Sequence, residues 1–145
     1  MPELPFEPAD VQTAHDDVLR IVMETDWSAS ALGLGWMSTY PRGWCSAMSY
    51  TIGRLLLHRG LGTWRIAANG SHDWLEYVDN GDVLYSVDAT QHQFDEHQAA
   101  WLGYGLAPRA KSHPAYQYAI CGQEPAAWAK GAEQVVSAEV MRRLG

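Results

Sequence analysis

Cysteine is scarce in this chain: only Cys45 and Cys121 occur among 145 residues, and they stand in no metal-ligand spacing. That scarcity argues against a disulfide framework or a zinc ribbon as the source of stability. A free thiol suits a reducing compartment. Basic residues are also few, ten Lys and Arg against seventeen Asp and Glu, for a net charge of −7 and a pI near 5.2. With no basic surface to neutralise phosphates, neither nucleic acid nor an anionic membrane is expected as the main partner. Long apolar runs are missing too. No stretch approaches the roughly 18 residues that cross a bilayer, and the opening eight residues have neither the basic nor the apolar region of a secretory signal. The expectation is a soluble, cytoplasmic protein. No repeat, low-complexity tract or linker interrupts the sequence, so residues 1–145 read as one domain.

What the chain has is apolar mass: 47% hydrophobic residues and seven tryptophans, enough for a core without metal or disulfide staples. From Ala9 to about Thr25, Val11, Ala14, Val18, Leu19, Val22 and Met23 recur at helical spacing, with Asp10 placed to cap the first turn. Residues 26 to 43 read as a loop whose Trp27, Trp36 and Tyr40 either wall a cleft or fill the core edge. A second helix is expected from about Trp44 to His58, with Gly60 as its C-terminal stop. Three segments with strand chemistry follow, Thr63–Ala67, Trp74–Val78 and Val83–Val87, the last two joined by the hairpin signal Asn80-Gly81. A short helix is expected within residues 91 to 104, a near-edge strand over 115 to 121, and a helix or broken pair from Pro125 to Leu144. The fold class is α+β, with a central helix packed on an antiparallel sheet.

Cys45 sits where Pro41-Arg42-Gly43 runs into the second helix. Free N–H groups and the positive end of the dipole stabilise a thiolate at such a junction, and the same groups can bind an oxyanion. Taken alone, a free cysteine is more commonly a small buried hydrophobe than a nucleophile. A cysteine nucleophile needs a base that also returns a proton to the leaving group, and the base needs an acceptor that fixes its tautomer. His72 opens one strand of the hairpin and Asp88 closes the other. A two-residue turn pairs Asp79 with Asp82 and sets His72 opposite Ala89, one position from Asp88, or in register with Asp88 if a bulge intervenes.

These residues resemble the transglutaminase-like branch of the papain-like thiol enzymes. That family has a glycine-x-cysteine at a helix start, a histidine-x-tryptophan on a strand and an aspartate-x-threonine on the next. Here these are Gly43-Trp44-Cys45, His72-Asp73-Trp74 and Asp88-Ala89-Thr90, with Gln93-Phe94 following as it often does in bacterial members. The resemblance covers roughly Tyr40 to Phe94. It implies a papain-like core, Cys45 as nucleophile, His72 as general base and acid, Asp88 as orienting carboxylate, and no cofactor. The expected substrate is a peptide, protein or small amide, cleaved through a thioester by water or transferred to an amine. The Cys45 N–H is the natural first oxyanion donor. For the second, or for substrate binding, Trp36, Thr39, Trp44 and Arg42 are candidates, Arg42 being otherwise a solvated loop charge. Trp74 reads as core packing beside the histidine.

Strand alternation points Asp73 away from His72; if it entered the site, it would raise the basicity of His72 or repel an acidic substrate. His15, His58, His92, His97 and His113 read as solvated. Two other classes of function stay open: a binding module in which the three residues are relics, and a metal-dependent hydrolase using His72, Asp73, Asp88 and His92. Cys121 is expected in the core or at a strand end.

Overall fold

A computed structural model describes residues 3–27, 39–94 and 96–144. The first helix, α1 (Pro8–Glu24), turns Val11, Ala14, Val18, Ile21 and Val22 inward. It begins before the expected start because Pro8 needs no N–H partner in the first turn. Glu7 is therefore the N-cap, without a side-chain cap bond, and Asp10 lies inside the first turn instead of capping it.

Helix α2 (Cys45–His58) is the central element. Its Ala47, Met48, Ile52, Leu55 and Leu56 are all buried, and each fully buried Met, Ile or Leu contributes about 1.5–3 kcal/mol. Past its C-cap Arg59, Gly60 adopts φ +69°, and Leu61 N–H closes back on Leu56. Gly53 lets Cys121 approach: a Cβ on Gly53 would lie 2.5 Å from the Cys121 sulfur. The nucleophile candidate thus stands on a rigid platform, and Cys121 belongs to the core as expected.

Five strands, β1 (Trp64–Ala68), β2 (Asp73–Asp79), β3 (Asp82–Asp88), β4 (Trp101–Tyr104) and β5 (Gln117–Ile120), form one antiparallel sheet in the order β4-β3-β2-β1-β5. Helix α2 packs on β1 and β2 and is covered in turn by α1 and by α4 (Ala132–Leu144). On the opposite face α3 (Pro108–Ser112) contributes Ala110 to a second cluster with Ala67, Trp74 and Ala107. Among the described residues the architecture is α+β with four α-helices, and none is long and apolar enough to cross a membrane.

The segment over residues 91 to 104 departs from expectation. In place of a helix there is a 3-10 turn (Gln91–Gln93) and then β4, which pairs Tyr104 with Tyr85 and Trp101 with Asp88. Gly103 explains part of this, because the Trp101 ring lies where its Cβ would be, 2.6 Å away. The near-edge strand holds as β5, and the C-terminal segment is a broken pair, a 3-10 turn (Ala126–Trp128) followed by α4.

The hairpin carries the feature that matters most for the site. Asn80 and Gly81 take φ of 50° and 82°, the mirror-image turn expected of this dipeptide, and Asp79 faces Asp82. Between Tyr77 and Val78 the register shifts: Val78 pairs with Val83, but Tyr77 pairs with Tyr85, leaving Leu84 as the extra residue. Beyond the bulge the pairing sum is 162, as in Leu75 with Val87 (75 + 87). Asp88 therefore falls opposite Trp74, not opposite His72. The bulge does not bring the two into register; it puts them on one face, two positions apart, where an unbulged hairpin would have turned them to opposite faces.

Candidate active site

Cys45 opens α2 and is half-buried. Trp44, the N-cap, adds no side-chain cap, so the helix itself leaves its first-turn N–H groups unbonded to carbonyls four residues back. His72 stands just before β2, where Asn69 anchors the turn: its Oδ1 accepts from the N–H groups of Ser71 and His72, at 3.1 and 3.0 Å. Asp88 ends β3. Both His72 and Asp88 are buried, at 1% and 0% exposure.

The imidazole is held on every side. Nε2 meets both carboxylate oxygens of Asp88, at 2.8 and 2.9 Å. Nδ1 lies 2.7 Å from Gln93 Nε2. The Trp74 ring stacks at 5.8 Å between centroids and Phe94 meets it edge-on at 5.0 Å. Burial alone would lower the pKa of His72, but hydrogen bonds and charge from Asp88 and Cys45 outweigh it and raise the group from 6.5 to about 9. With Asp88 on Nε2, the Cys45 thiol adds a further hydrogen bond to the same ring.

Cys45 and His72 line one cleft of about 460 Å³ with Ser46, Asp73, Gln117, Trp128 and Glu133 among its walls. Asp73 is the correction here. It faces the cleft, accepting a 2.5 Å hydrogen bond from Ser46 Oγ, because at the strand's first residue the α2-facing side of β2 opens onto the start of that helix. Burial raises the carboxyl of Asp73, opposed by the Ser46 bond and the charge of His72. Burial also raises Glu133, with Asp73's charge adding to it. Apart from His72, no basic side chain lines the cleft among the described residues.

The other candidates scatter. Trp44 is fully buried between Trp27 and Tyr40, at centroid distances of 5.9 and 5.8 Å, so its ring packs the core instead of walling a cleft. Trp27 is likewise a core residue, and Trp36 lies outside the described residues. Arg42 is exposed in the turn before Cys45, where Thr39 Oγ1 donates to its carbonyl at 3.2 Å. Trp74 is buried as expected, and its indole donates to Glu76 at 2.9 Å. His15 is not solvated: α1 turns it inward to 4% exposure. His92 is half-buried, and burial lowers its pKa. No cluster of three or more metal-ligating side chains occurs among the described residues. Cys121 is pushed up to about 12 by burial and the charge of Glu124.

Sequence reasoning gave no role to Gln93, Ser46 or Glu133. Gln93 was visible as half of the Gln93-Phe94 pair; Ser46, half-buried, follows the nucleophile on its helix; Glu133 comes from a helix 88 positions further on (133 − 45), and no local signal ties it to Cys45. No protein-family model matches the chain, and neither a curated protein nor a solved structure matches it.

Proposed function

We propose that the chain is a cysteine-dependent acyl-transfer enzyme acting on an amide or peptide bond through a thioester. The observation that carries this reading is the set of partners around one buried ring: Asp88 on Nε2 of His72, the Cys45 thiol adding its own hydrogen bond and charge to the same imidazole, and one cleft lined by both Cys45 and His72. A papain-like, transglutaminase-like core is the finer architecture that fits it.

The mechanism follows from those positions. The Cys45 thiolate attacks the acyl carbon, forming C–S while the carbonyl π pair moves to oxygen. The N–H groups of the α2 first turn hold that oxyanion. On collapse the C–N bond breaks and the Nδ1 proton of His72 passes to the departing amine. Water then attacks the thioester, its proton passing to Nδ1, and collapse of this second tetrahedral intermediate breaks C–S, releasing the acid and the Cys45 thiolate; an amine in place of water gives transamidation. Asp88 keeps the Nε2 proton in place throughout, as the orienting carboxylate does in other nucleophile-base pairs.

The test is acylation by p-nitrophenyl acetate, read by mass spectrometry of the acid-quenched protein. One acetyl group on Cys45, formed with a burst of p-nitrophenol and absent in Cys45→Ala, is expected. Acetyl groups spread over lysines at the same rate in both proteins would overturn the reading.

A further inference from the structure

Nδ1 of His72 has a partner that the acyl-transfer chemistry does not use. Gln93 closes the 3-10 turn and brings its carboxamide to 2.7 Å from that nitrogen. The turn is fixed from several directions. Gln93 N–H donates to the Thr90 carbonyl at 2.9 Å, Gln91 Nε2 donates to the Ala99 carbonyl at 2.9 Å, and Tyr40 Oη donates to the Ala89 carbonyl at 3.2 Å. Phe94, next along, presses on the imidazole and carries the Arg109 guanidinium over its own ring at 3.3 Å. The charged or titratable groups facing His72 are Asp88 from β3, Asp73 from β2 and Cys45 from α2, with Arg109 of α3 behind Phe94. Gln93 differs from all of these in being neutral and in carrying both a donor and an acceptor on one planar group.

We propose that Gln93 is a positioning residue that holds Nδ1 of His72 in both protonation states, its carboxamide turning over as the proton leaves and returns. The proposal rests on the acyl-transfer reading. When the ring is an imidazolium, Nδ1–H is shared between the Cys45 thiolate and Gln93 Oε1. Once that proton has gone to the leaving amine, Sγ is acylated and Nδ1 is bare. Gln93 Nε2–H then donates to it, and the ring stays in plane until the attacking water delivers its proton. A carboxylate could serve only the first state and a thioether neither.

The test combines an NMR titration of His72, on protein labelled with ¹⁵N-histidine, with the rate of acetyl release from Cys45 after p-nitrophenyl acetate, for wild type, Gln93→Glu and Gln93→Met. Backbone spectra of both variants establish that they fold. In Gln93→Glu the His72 midpoint rises by about 1 pH unit or more, because a carboxylate favours only the protonated ring. In Gln93→Met it stays within about 0.5 unit, since both forms lose a partner, while acetyl release slows about 10- to 100-fold as the ring loses its alignment. An unmoved midpoint in Gln93→Glu, or a full-unit shift in Gln93→Met, would overturn the two-state role, as would unchanged acetyl release. A wild type that accepts no acetyl group would count against the acyl-transfer reading alone, because the titration reads Gln93 without it.

Discussion

His72 and Asp88 meet through a single ring nitrogen, Nε2, which both carboxylate oxygens approach at 2.8 and 2.9 Å with neither residue exposed. They sit two positions apart on one face of the hairpin, and the extra residue Leu84 is what puts them there. An ion pair so deeply buried is costly to break on one side only. In the acyl-transfer reading proposed above, its place beside a half-buried thiol at a helix start is what would put the pair to chemical use.

Asp88→Asn is expected to lower the acylation rate of Cys45 on the order of 10³-fold. The amide presents a donor as readily as an acceptor, so the Nε2–H tautomer is no longer enforced. Stopped-flow release of p-nitrophenol measures this, and a loss under about threefold would show that Asp88 does not orient the ring.

The same pair predicts how stability varies with pH. His72 is raised in the folded protein to about 9, above its ordinary 6.5. Its contribution is therefore fully present below about 6.5 and is lost as the pH rises through about 9. Urea unfolding of the wild type should show stability falling across that window, and in Asp88→Asn the fall should flatten. An equally steep fall in the variant would assign the effect to another group.

The cleft charge should be readable with two small reagents. Asp73 and Glu133 share the cleft with Cys45, so anionic iodoacetate should label Cys45 more slowly, relative to neutral iodoacetamide, than in the double variant Asp73→Asn, Glu133→Gln. A gain of about three- to tenfold in the iodoacetate-to-iodoacetamide ratio is expected, the size of a roughly 1 kcal/mol interaction at a partly solvated site. An unchanged ratio would mean that the two carboxyls carry no charge felt at the sulfur.

Gly53 gives a prediction for the platform beneath the nucleophile. Its missing Cβ would stand 2.5 Å from the Cys121 sulfur, so Gly53→Ala should destabilise by about 1–3 kcal/mol despite the better helix propensity of alanine. The same change made in Cys121→Ala should cost much less, which paired urea melts would show. Equal costs in both backgrounds would mean that the contact is not the cause.

Much of this was legible in the chain. The periodicity of α2, the Asn80-Gly81 turn and three short tripeptides put Cys45 at the start of α2, Asp88 at the end of β3 and His72 one residue ahead of β2, because each depends on local patterns. The bulge was not legible: nothing in Tyr77-Val78 or Leu84 announces an unpaired residue, and a one-residue slip decides which face Asp88 takes. Alternation held at Asp73, which shares the α2-facing side with Leu75, but that side opens onto the start of α2, so facing away from Trp74 does not take Asp73 out of the cleft. The strand β4 was hidden by Gly103, which weakens a strand pattern but makes room for the Trp101 ring. Glu133 and Trp128 reach the cleft only through tertiary packing of the C-terminal segment.

The most direct test is the pH dependence of iodoacetamide labelling at Cys45, read by mass spectrometry in wild type and His72→Ala, with buried Cys121 as internal control. Labelling of Cys45 that stays fast down to about pH 5 to 6, and loses that acid-side reactivity in His72→Ala, is the predicted result and marks a thiolate paired with an imidazolium. Labelling no faster than that of Cys121 and indifferent to His72 would contradict the account, and would leave a binding module in which the three residues are structural.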